Sequence, residues 1–483
     1  MTIKELNPKL VWEIFEDITR VPRPSKKEGK IIAFLEDFAR KHNLEYRKDA
    51  IGNVVIFKPA SAGYENLPAV VLQSHMDMVC EKNSDVEFDF ENDAIRTRIE
   101  DGWVKAEGTT LGADCGIGMA AALAVLVDES VQHGPLEALF TIDEETGLTG
   151  AFGLGKGMLN GKYLINLDSE DEGEIFIGCA GGIDTVAKFR YTPEVAPVDF
   201  AWFRMDVSEL LGGHSGDDID KGRANSNKIV ARLLWEAQRS LGMRLSSFCG
   251  GNLRNAIPRE AYAVFGVPMQ FKGDLEKHFS LFADDVRAEF RLTEPNMKIT
   301  LNEVSGAASV IDLKTQTALI DALVGVPNGV VAMSAAVAGL VETSTNLASV
   351  KFEGENEIVV TSSQRSSVES AKSYVMQSVD SVFTLAGAEV VHSDGYPGWA
   401  PNPDSQLLET TVECYKRLFG TEPKVRAIHA GLECGLFLEK YPELEMVSFG
   451  PTLRGVHSPD ERIEISTVGK FWELLLEVLT HVK

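Results

Sequence analysis

The sequence predicts an α/β protein: a mostly parallel sheet with helices on both faces, interrupted by an inserted two-layer α+β domain. Strands and helices alternate up to about residue 178, which indicates parallel strands joined by helices. Near Gly178-Cys179-Ala180-Gly181-Gly182 longer strands and amphipathic helices take over, and the first pattern returns after Gly395-Tyr396-Pro397-Gly398-Trp399. We therefore expect one domain in two parts, residues 1–181 and 399–483, around an insert of residues 182–398.

The first elements are predicted from helix caps and apolar runs. Asn7-Pro8 starts one helix, and Ser25-Lys26-Lys27-Glu28 resembles a capping box for a second helix that ends near Lys41. Strands are expected at 53–57 and 69–74. The second of these is nearly all apolar, as a strand covered on both faces should be.

The later elements follow from the same patterns. Before the insert we expect a glycine-led buried helix, a strand, a helix and a strand, at residues 112–127, 138–142, 148–160 and 163–167. In the insert, alternating apolar residues indicate strands and amphipathic stretches indicate helices, at 185–191, 201–207, 225–241, 275–291, 357–361 and 368–385. After the insert a helix, a strand and a final helix are expected at 405–419, 445–449 and from 465 onwards.

Composition excludes several classes of partner. The chain of 483 residues has 72 acidic and 47 basic residues, a net charge of −25, which would repel nucleic acid and anionic membranes. No apolar run reaches the ~18 residues of a membrane span, and the start of the chain lacks the regions of a signal peptide. The six cysteines form no Cys-x-x-Cys pair and are too sparse for a disulfide framework. We therefore expect a cytoplasmic protein without nucleic-acid or membrane partners.

Three acidic residues follow the strand predicted at 138–142. Asp143, Glu144 and Glu145 come directly after it, and adjacent residues at a strand end point in different directions. One glutamate can therefore ligate a cation while the other holds a proton, at the edge of the sheet where α/β proteins usually bind ligands. The alternative is a solvated acidic turn, so the interpretation depends on what the other strand ends offer.

Other strand ends and loops offer matching side chains. His75 and Asp77 lie two residues apart at a strand end, so Asp77 can bond one ring nitrogen and leave the other for a metal. Asp114 stands between glycines ahead of the buried helix, where it can cap the helix or bridge two cations. Asp168 follows the next strand, with Glu170 as the alternative ligand.

A second histidine, His457, is presented by a glycine loop where no core packing is evident. Taken singly, each of these side chains has an ordinary explanation as a cap, a core pair or a surface turn. Together they supply two histidines and several carboxylates from one α/β domain, which suits Zn²⁺ or Mn²⁺. The sequence therefore predicts a metal site.

These motifs stand in the order found in the M20 co-catalytic zinc peptidases, which the chain resembles over essentially its whole length. The resemblance rests on His75-Met76-Asp77, Leu111-Gly112-Ala113-Asp114, Glu144-Glu145-Thr146-Gly147, Asp168 and His457-Ser458-Pro459, and the aminoacyl-histidine dipeptidase branch is its nearest match. It implies two divalent cations per chain, with Zn²⁺ first and Mn²⁺ or Co²⁺ as alternatives. His75, Asp114 and Asp168 would hold one cation. Asp114, Glu145 and His457 would hold the other.

The resemblance also implies the remaining roles. Asp77 would orient His75, and Glu144 would be the general base. The insert would be a lid that supplies one histidine to the reaction and two residues to the substrate carboxylate: His214, Asn255 and Arg365. A small peptide would be the substrate, and a homodimer would form through the lid.

The implied activity is hydrolysis of unblocked dipeptides, including those that end in histidine. Two alternatives stay open, namely an N-acyl amino acid amidohydrolase of the same fold and a metal-dependent binding protein without turnover. A spare base at Glu144 favours turnover, because binding needs ligands only. Residues 150–157 nearly spell a phosphate loop but lack its Mg²⁺-binding hydroxyl, and no Gly-x-Ser-x-Gly or His-Glu-x-x-His motif occurs.

Overall fold

The computed structural model of the protein describes residues 2–354 and 356–483. The chain divides into two compact units. The first unit comprises the chain up to Gly178 together with Pro401–Ala427 and Leu432–Lys483. The second unit comprises Cys179–Ala400 and the short segment Ile428–Gly431.

The first unit begins with helices and continues through alternating strands and helices. After a 3-10 helix at Ile3–Glu5, the elements before the insert are α1 Lys9–Thr19, α2 Gly29–Lys41, β1 Glu45–Lys48, β2 Val54–Lys58, β3 Val70–His75, β4 Thr97–Glu100, β5 Trp103–Ala106, α3 Ala113–Val127, β6 Leu136–Thr141, α4 Glu144–Gly147, α5 Thr149–Gly153, β7 Tyr163–Asn166 and β8 Glu174–Cys179.

The second unit is built from long strands and amphipathic helices. Its elements are β9 Gly181–Arg190, β10 Pro193–Val195, β11 Phe200–Ser208, α6 Ser226–Leu241, β12 Arg244–Gly250, β13 Ala261–Pro268, a 3-10 helix at Met269–Phe271, α7 Lys272–Glu289, β14 Lys298–Glu303, β15 Ser309–Ile311, α8 Leu313–Gly325, β16 Gly329–Met333, β17 Val341–Glu353, β18 Glu357–Ser366, α9 Glu369–Leu385 and β19 Glu389–His392. An antiparallel sheet runs in the order β14-β11-β13-β12-β17-β18-β9-β19, with β16 also paired to β17. Helices α6, α7 and α9 pack against it.

The chain then completes the first unit. The elements after the insert are α10 Gln406–Phe419, β20 Lys424–Ile428, α11 Cys434–Lys440, β21 Glu445–Ser448, β22 Leu453–Arg454, β23 Arg462–Glu464 and α12 Ile465–His481. A small sheet, which the sequence did not predict, joins β22, β23, β5 and β4. The principal sheet has the order β1-β2-β6-β3-β7-β21-β8-β20.

The centre of the principal sheet is parallel and its edges are antiparallel. Strands β6, β3, β7 and β21 pair in parallel, whereas β1 with β2, β2 with β6 and β8 with β21 pair antiparallel. The prediction of a mostly parallel sheet therefore holds for the central strands only. Strands β3, β6 and β7 are buried along their whole length, as apolar strands covered on both faces should be. The α/β fold class with an inserted α+β part is confirmed.

Two local predictions were wrong. Ser25 caps no helix: its hydroxyl donates to Asp77 Oδ2 at 2.8 Å, and α2 begins only after Glu28. The predicted capping box fails because both side chains are engaged elsewhere, Glu28 Oε1 accepting the N–H groups of Lys26 and Asp143. The helix expected at 148–160 is confined to α5, because glycines at the end of α5 and beyond it disfavour helix and Gly157 has φ +84°.

Candidate active site

Three neighbouring strands bring the first group of predicted residues together. His75 ends β3, Glu144 and Glu145 follow β6, and Asp168 follows β7. Because β3 pairs in parallel with both β6 and β7, the carboxyl ends of all three strands meet at one edge of the sheet. Ligands of open α/β sheets bind at this edge.

Asp114 lies between two histidines. Its Oδ1 is 3.1 Å from His75 Nε2, and its Oδ2 is 3.2 Å from His457 Nε2. Asp168 Oδ1 is 3.4 Å from the same nitrogen of His75, and Glu145 Oε2 is 2.9 Å from His457 Nε2. Each histidine nitrogen thus faces two carboxylates, one of which is Asp114 in both cases. All five predicted metal residues are brought together.

The donor atoms of this cluster fit divalent cations. Within the described part of the chain, the groups of donors that could hold an ion include Asp114 with Glu145 and His457, His75 with Asp168 and Cys115, and His75 with Glu144 and Glu145. Asp168 Oδ1 and Glu145 Oε1 are buried and accept no hydrogen bond from any described residue. Unpaired buried carboxylate oxygens are costly, so a cation would satisfy them. Imidazole nitrogen with carboxylate oxygen suits Zn²⁺ or Mn²⁺.

Asp77 lies beneath the cluster and is fully buried. Its Oδ1 is 3.4 Å from His75 Nδ1, and its carboxylate accepts the Ser25 hydroxyl and the N–H groups of Glu144 and Glu145 at 3.1 and 3.3 Å. Burial opposes ionisation of Asp77, but the hydrogen bonds from His75, Ser25 and Glu144 lower its pKa to about 2. One ionised carboxylate therefore fixes the His75 ring and the backbone of both glutamates.

The pKa values of the neighbouring acids Glu144 and Asp168 are raised, whereas that of Asp77 is lowered. Burial raises the pKa of the Glu144 carboxyl well above its usual range; the imidazole of His75 opposes this rise, while Asp168 and Glu433 add to it. Burial also raises the pKa of Asp168 to about 6, against the influence of His75. A raised pKa makes the Glu144 carboxylate a stronger proton acceptor, which suits a general base.

His457 combines a left-handed backbone conformation with two acidic neighbours. Its φ of +60° is unusual for a residue other than glycine, and such strain persists where the surroundings enforce it. Hydrogen bonds to Asp114 and Glu145 raise the pKa of His457 to about 11. In the absence of a cation the ring is protonated, so binding of a metal ion here must release that proton.

A buried glutamate that sequence reasoning missed, Glu461, holds the segment that carries Asp114. Its Oε2 accepts the N–H groups of Leu111 and Gly112 at 2.7 and 2.9 Å, and its Oε1 accepts those of Ala113 and Asp114 at 2.7 and 3.2 Å. These N–H groups open α3 and have no partner within the helix. The only signal in the sequence was the glycine-led start of a helix, whose first N–H groups need acceptors from elsewhere in the chain.

Arg23 is the second residue that sequence reasoning missed. Its Nη1 donates to the carbonyl oxygens of Met76 and Asp77 at 3.1 and 2.5 Å, and its Nη2 donates to the Gly112 carbonyl. This buried guanidinium ties the chain after β3 to the chain before α3. Gly112 has φ +68°, and a Cβ there would lie 2.6 Å from Arg23 Nη2, so the close approach requires glycine.

The second unit carries the three residues predicted for the lid. Arg365 is 8% exposed; its Nη1 donates to the Tyr396 hydroxyl at 3.1 Å, and its Nε has no hydrogen-bond partner among the described residues. Asn255 is exposed, and its carbonyl accepts the N–H of Ser215, next to His214, at 2.8 Å. His214, Asn255 and Arg365 thus belong to the second unit, whereas the metal-site residues and Glu144 belong to the first.

A further histidine of the second unit lies near Arg365. His429, from the segment 428–431, is buried with Nε2 2.7 Å from the Ser344 hydroxyl. Burial lowers the pKa of His429 to about 4, and the charge of Arg365 adds to the effect. The ring is therefore neutral at pH 7. No motif or periodic pattern in the sequence singles out His429.

Comparison with known proteins agrees with this arrangement. The model of peptidase family M20/M25/M40 matches residues 71–481. The chain belongs to this family. As an M20 peptidase it is an enzyme of a metallopeptidase family, and the resemblance inferred from the motifs is confirmed.

Two relatives match this M20 peptidase over nearly its whole length. Cytosol non-specific dipeptidase of Escherichia coli K12 is 43% identical over 480 residues, which are 99% of each chain. The crystal structure of aminoacylhistidine dipeptidase from Vibrio alginolyticus has a TM-score of 0.96 and 44% identity, and covers 100% of this chain and 98% of that one. Aminopeptidase PepT of Bacillus cereus, at 16% identity and a TM-score of 0.58 over 99% of both chains, shares the fold.

Within residues 2–354 and 356–483, no helix is both long enough and apolar enough to cross a bilayer.

We predict that Glu461→Ala weakens metal binding by about 10–100-fold, the usual cost of losing a side chain that orients a ligand. The four N–H groups that Glu461 accepts would lose their partner, and Asp114 would lose its fixed position. Chelator titration followed by elemental analysis measures the affinity. Asp460→Ala is the control, because Asp460 is exposed and precedes Glu461 directly. Equal metal affinities for both variants would contradict the role of Glu461.

Proposed function

We propose that this peptidase is a metal-dependent dipeptidase that hydrolyses unblocked dipeptides, including those that end in histidine. The observation that carries the proposal is the difference between the two glutamates after β6. Glu145 Oε2 is 2.9 Å from His457 Nε2, whereas the described structure has no hydrogen bond or ion pair between the Glu144 side chain and a histidine, and burial raises the pKa of Glu144. A spare base beside metal donors is what hydrolysis needs and binding does not. The names of the two full-length relatives support the substrate class.

Two divalent cations would complete the site. His75, Asp114 and Asp168 would hold one, and Asp114, Glu145 and His457 the other. Zn²⁺ suits this set of nitrogen and oxygen donors best, and Mn²⁺ or Co²⁺ would also fit. When bound, the cations polarise the peptide carbonyl and lower the pKa of the attacking water.

Glu144 would transfer the proton that the attacking water loses, and Asp77 would hold the residues around it in place. Glu144 accepts a proton from the attacking water at a carboxylate oxygen and then donates it to the nitrogen of the leaving amine. Asp77 orients His75 through Nδ1 and, by accepting the N–H groups of residues 144 and 145, keeps the two glutamates in place. The low pKa of Asp77 leaves it ionised throughout.

The second unit would act as a lid and bind the carboxyl end of the substrate. Arg365 and Asn255 would receive the free carboxylate, since a buried guanidinium with an unpartnered Nε is suited to a bidentate anion. His214 would donate a hydrogen bond to the oxyanion as it forms. On this proposal the catalytic domain is 1–181 with 399–483, and the lid domain is 182–398.

We also propose that the protein forms a homodimer through the lid and works in the cytoplasm. Strand β16 pairs with β17 and exposes Val330, Val331 and Met333 at 39%, 46% and 50%, and such apolar edge strands favour association. The name of the E. coli relative supports the location.

Metal removal with a substrate panel tests the proposal. We expect chelated protein to lose activity and to regain it with added Zn²⁺, Mn²⁺ or Co²⁺. The panel contains unblocked dipeptides, β-alanyl-histidine, a tripeptide and an N-acetyl amino acid, and only the dipeptides should turn over rapidly. Full activity without metal would refute the mechanism. Equal rates on the N-acetyl amino acid would indicate the amidohydrolase, and metal binding without turnover would indicate a binding protein.

The two adjacent glutamates give a second prediction. Glu144→Ala should keep its metal content and lose about 10²–10⁴-fold in kcat, the typical contribution of a general base. Glu145→Ala should lose metal as well, because it removes a ligand. Elemental analysis beside steady-state kinetics separates the two effects. Identical behaviour of the two variants in both measurements would show that the roles are not divided.

A third prediction concerns His214. His214→Ala should retain metal and fold while kcat falls by about 10²–10³-fold, the usual effect of removing one oxyanion donor. KM should change little, because the hydrogen bond forms only in the transition state. His278→Ala, at a histidine on α7 that contacts Glu236, is the matched control. An unchanged kcat would exclude His214 from the reaction, and loss of metal would make it a ligand.

A further inference from the structure

Buried glutamates of the first unit differ in how fully they are hydrogen-bonded. Glu137 is 3% exposed, and both of its oxygens accept N–H groups from Asn160 and Gly161. Glu461 is 2% exposed and accepts four N–H groups, as described above. Both are structural carboxylates with complete sets of partners.

Glu433 is equally buried, at 2% exposure, but only half satisfied. Its Oε2 accepts Gln73 Nε2 and Thr141 Oγ1, each at 2.7 Å. Its Oε1 is buried and receives no hydrogen bond from any residue in the described ranges. The carboxyl is thus held firmly by one oxygen while the other lacks a donor.

The neighbours of Glu433 place it at the catalytic centre. Gln73 lies two residues before His75 on β3, and Thr141 is the register partner of His75 on β6. Burial raises the pKa of Glu433 to about 8, His75 opposes this rise, and Asp168 adds to it. Glu433 adds in turn to the rise in the pKa of the Glu144 carboxyl. Yet Glu433 belongs to none of the groups of metal donors that the described residues form. Glu433 is therefore an acid near the site that neither binds a metal nor transfers a proton in the proposed mechanism.

When Glu433 is ionised, Oε1 needs a hydrogen-bond donor, and a cationic donor fits best because it favours the ionised carboxylate. A buried carboxylate oxygen without a donor is destabilising because its lost hydration is not replaced, and hydrogen bonds from charged donors are the stronger ones. Asp168 and Asp77 add negative charge near Glu433, and His75 opposes them. A proton donor that also carries positive charge would therefore relieve both the unpaired oxygen and the repulsion between the acids.

A dipeptide brings such a group in its α-ammonium. Resting on the dipeptidase function proposed above, we propose that Glu433 Oε1 accepts a hydrogen bond from the α-ammonium of the substrate and thereby selects peptides with a free amino end. An acylated amino end carries no positive charge and fewer donors, so it leaves Oε1 unpaired. Sites built to bond a donor discriminate strongly against analogues that lack it.

The test compares alanyl-histidine with propionyl-histidine, which lacks only the amino group. We expect the metal-loaded wild-type protein to favour alanyl-histidine by at least ~10² in kcat/KM. In Glu433→Gln the preference should fall by at least tenfold, mainly through a higher KM for alanyl-histidine, while metal content stays normal. Glu137→Gln, which alters a fully partnered buried glutamate of β6, should keep the wild-type preference.

A binding measurement separates specificity from turnover. Calorimetry with ketomethylene isosteres of the same two compounds should show that Glu433→Gln loses affinity for the ammonium-bearing isostere only. Glu433→Asp keeps the carboxylate but shortens the side chain by one methylene group. Its preference for alanyl-histidine should lie between those of the wild type and Glu433→Gln. If Glu433→Gln does not fold, this variant tests the role of Glu433.

Each outcome bears on one proposal. A folded Glu433→Gln with the wild-type preference would overturn the role of Glu433 and leave Oε1 bonded to a buried water only. Parallel losses for both isosteres would make Glu433 structural. If the wild-type protein hydrolyses no dipeptide, the dipeptidase function fails, whereas the calorimetry still reports on Glu433.

Discussion

The concentration of negative charge at one edge of the principal sheet is the constraint on which the rest of the site depends. Carboxylates of Asp77, Asp114, Glu144, Glu145 and Asp168, which are buried or partly buried, gather around the buried His75 and the exposed His457. Like charges repel strongly where water is scarce, so these acids cannot all ionise alone. The pKa values divide accordingly, to about 2 for Asp77 and about 6 for Asp168. Bound divalent cations would remove the conflict, which is why the cluster is suited to metal ions.

The backbone around the site is held by buried charged side chains. Arg23 donates to carbonyl oxygens at the end of β3 and ahead of α3, while Glu461 accepts the N–H groups that open α3. These groups could not all be satisfied by regular secondary structure, because the chain changes direction there. A guanidinium and a carboxylate meet the demand with several hydrogen bonds each. Asp114 can therefore point one oxygen at each histidine without being free to rotate away.

Sequence reasoning succeeded where local pattern determines position. An apolar strand ends where its pattern ends, so His75, Glu145 and Asp168 could be placed at one edge of the sheet from periodicity alone. It failed where a contact joins distant parts of the chain. Glu461 is more than three hundred residues from the N–H groups that it accepts, and Glu433 is equally far from Gln73. Ser25 shows the same limit, since its local capping signal was real but Asp77 competed successfully for its hydroxyl.

The different roles of Glu144 and Glu145 originate in the turn that precedes them. Asp143 has φ +49°, a left-handed conformation that costs an ordinary residue about 1–3 kcal/mol and needs support. Three hydrogen bonds supply this support. The Glu28 carboxylate accepts the N–H of Asp143, and the hydroxyls of Thr146 and Thr149 donate to the Asp143 carboxylate. With the turn fixed in this way, Asp77 can accept both following N–H groups at once. An acidic run that would be a solvated turn elsewhere is thereby held as two separately directed carboxylates, one against His457 and one beside the metal donors.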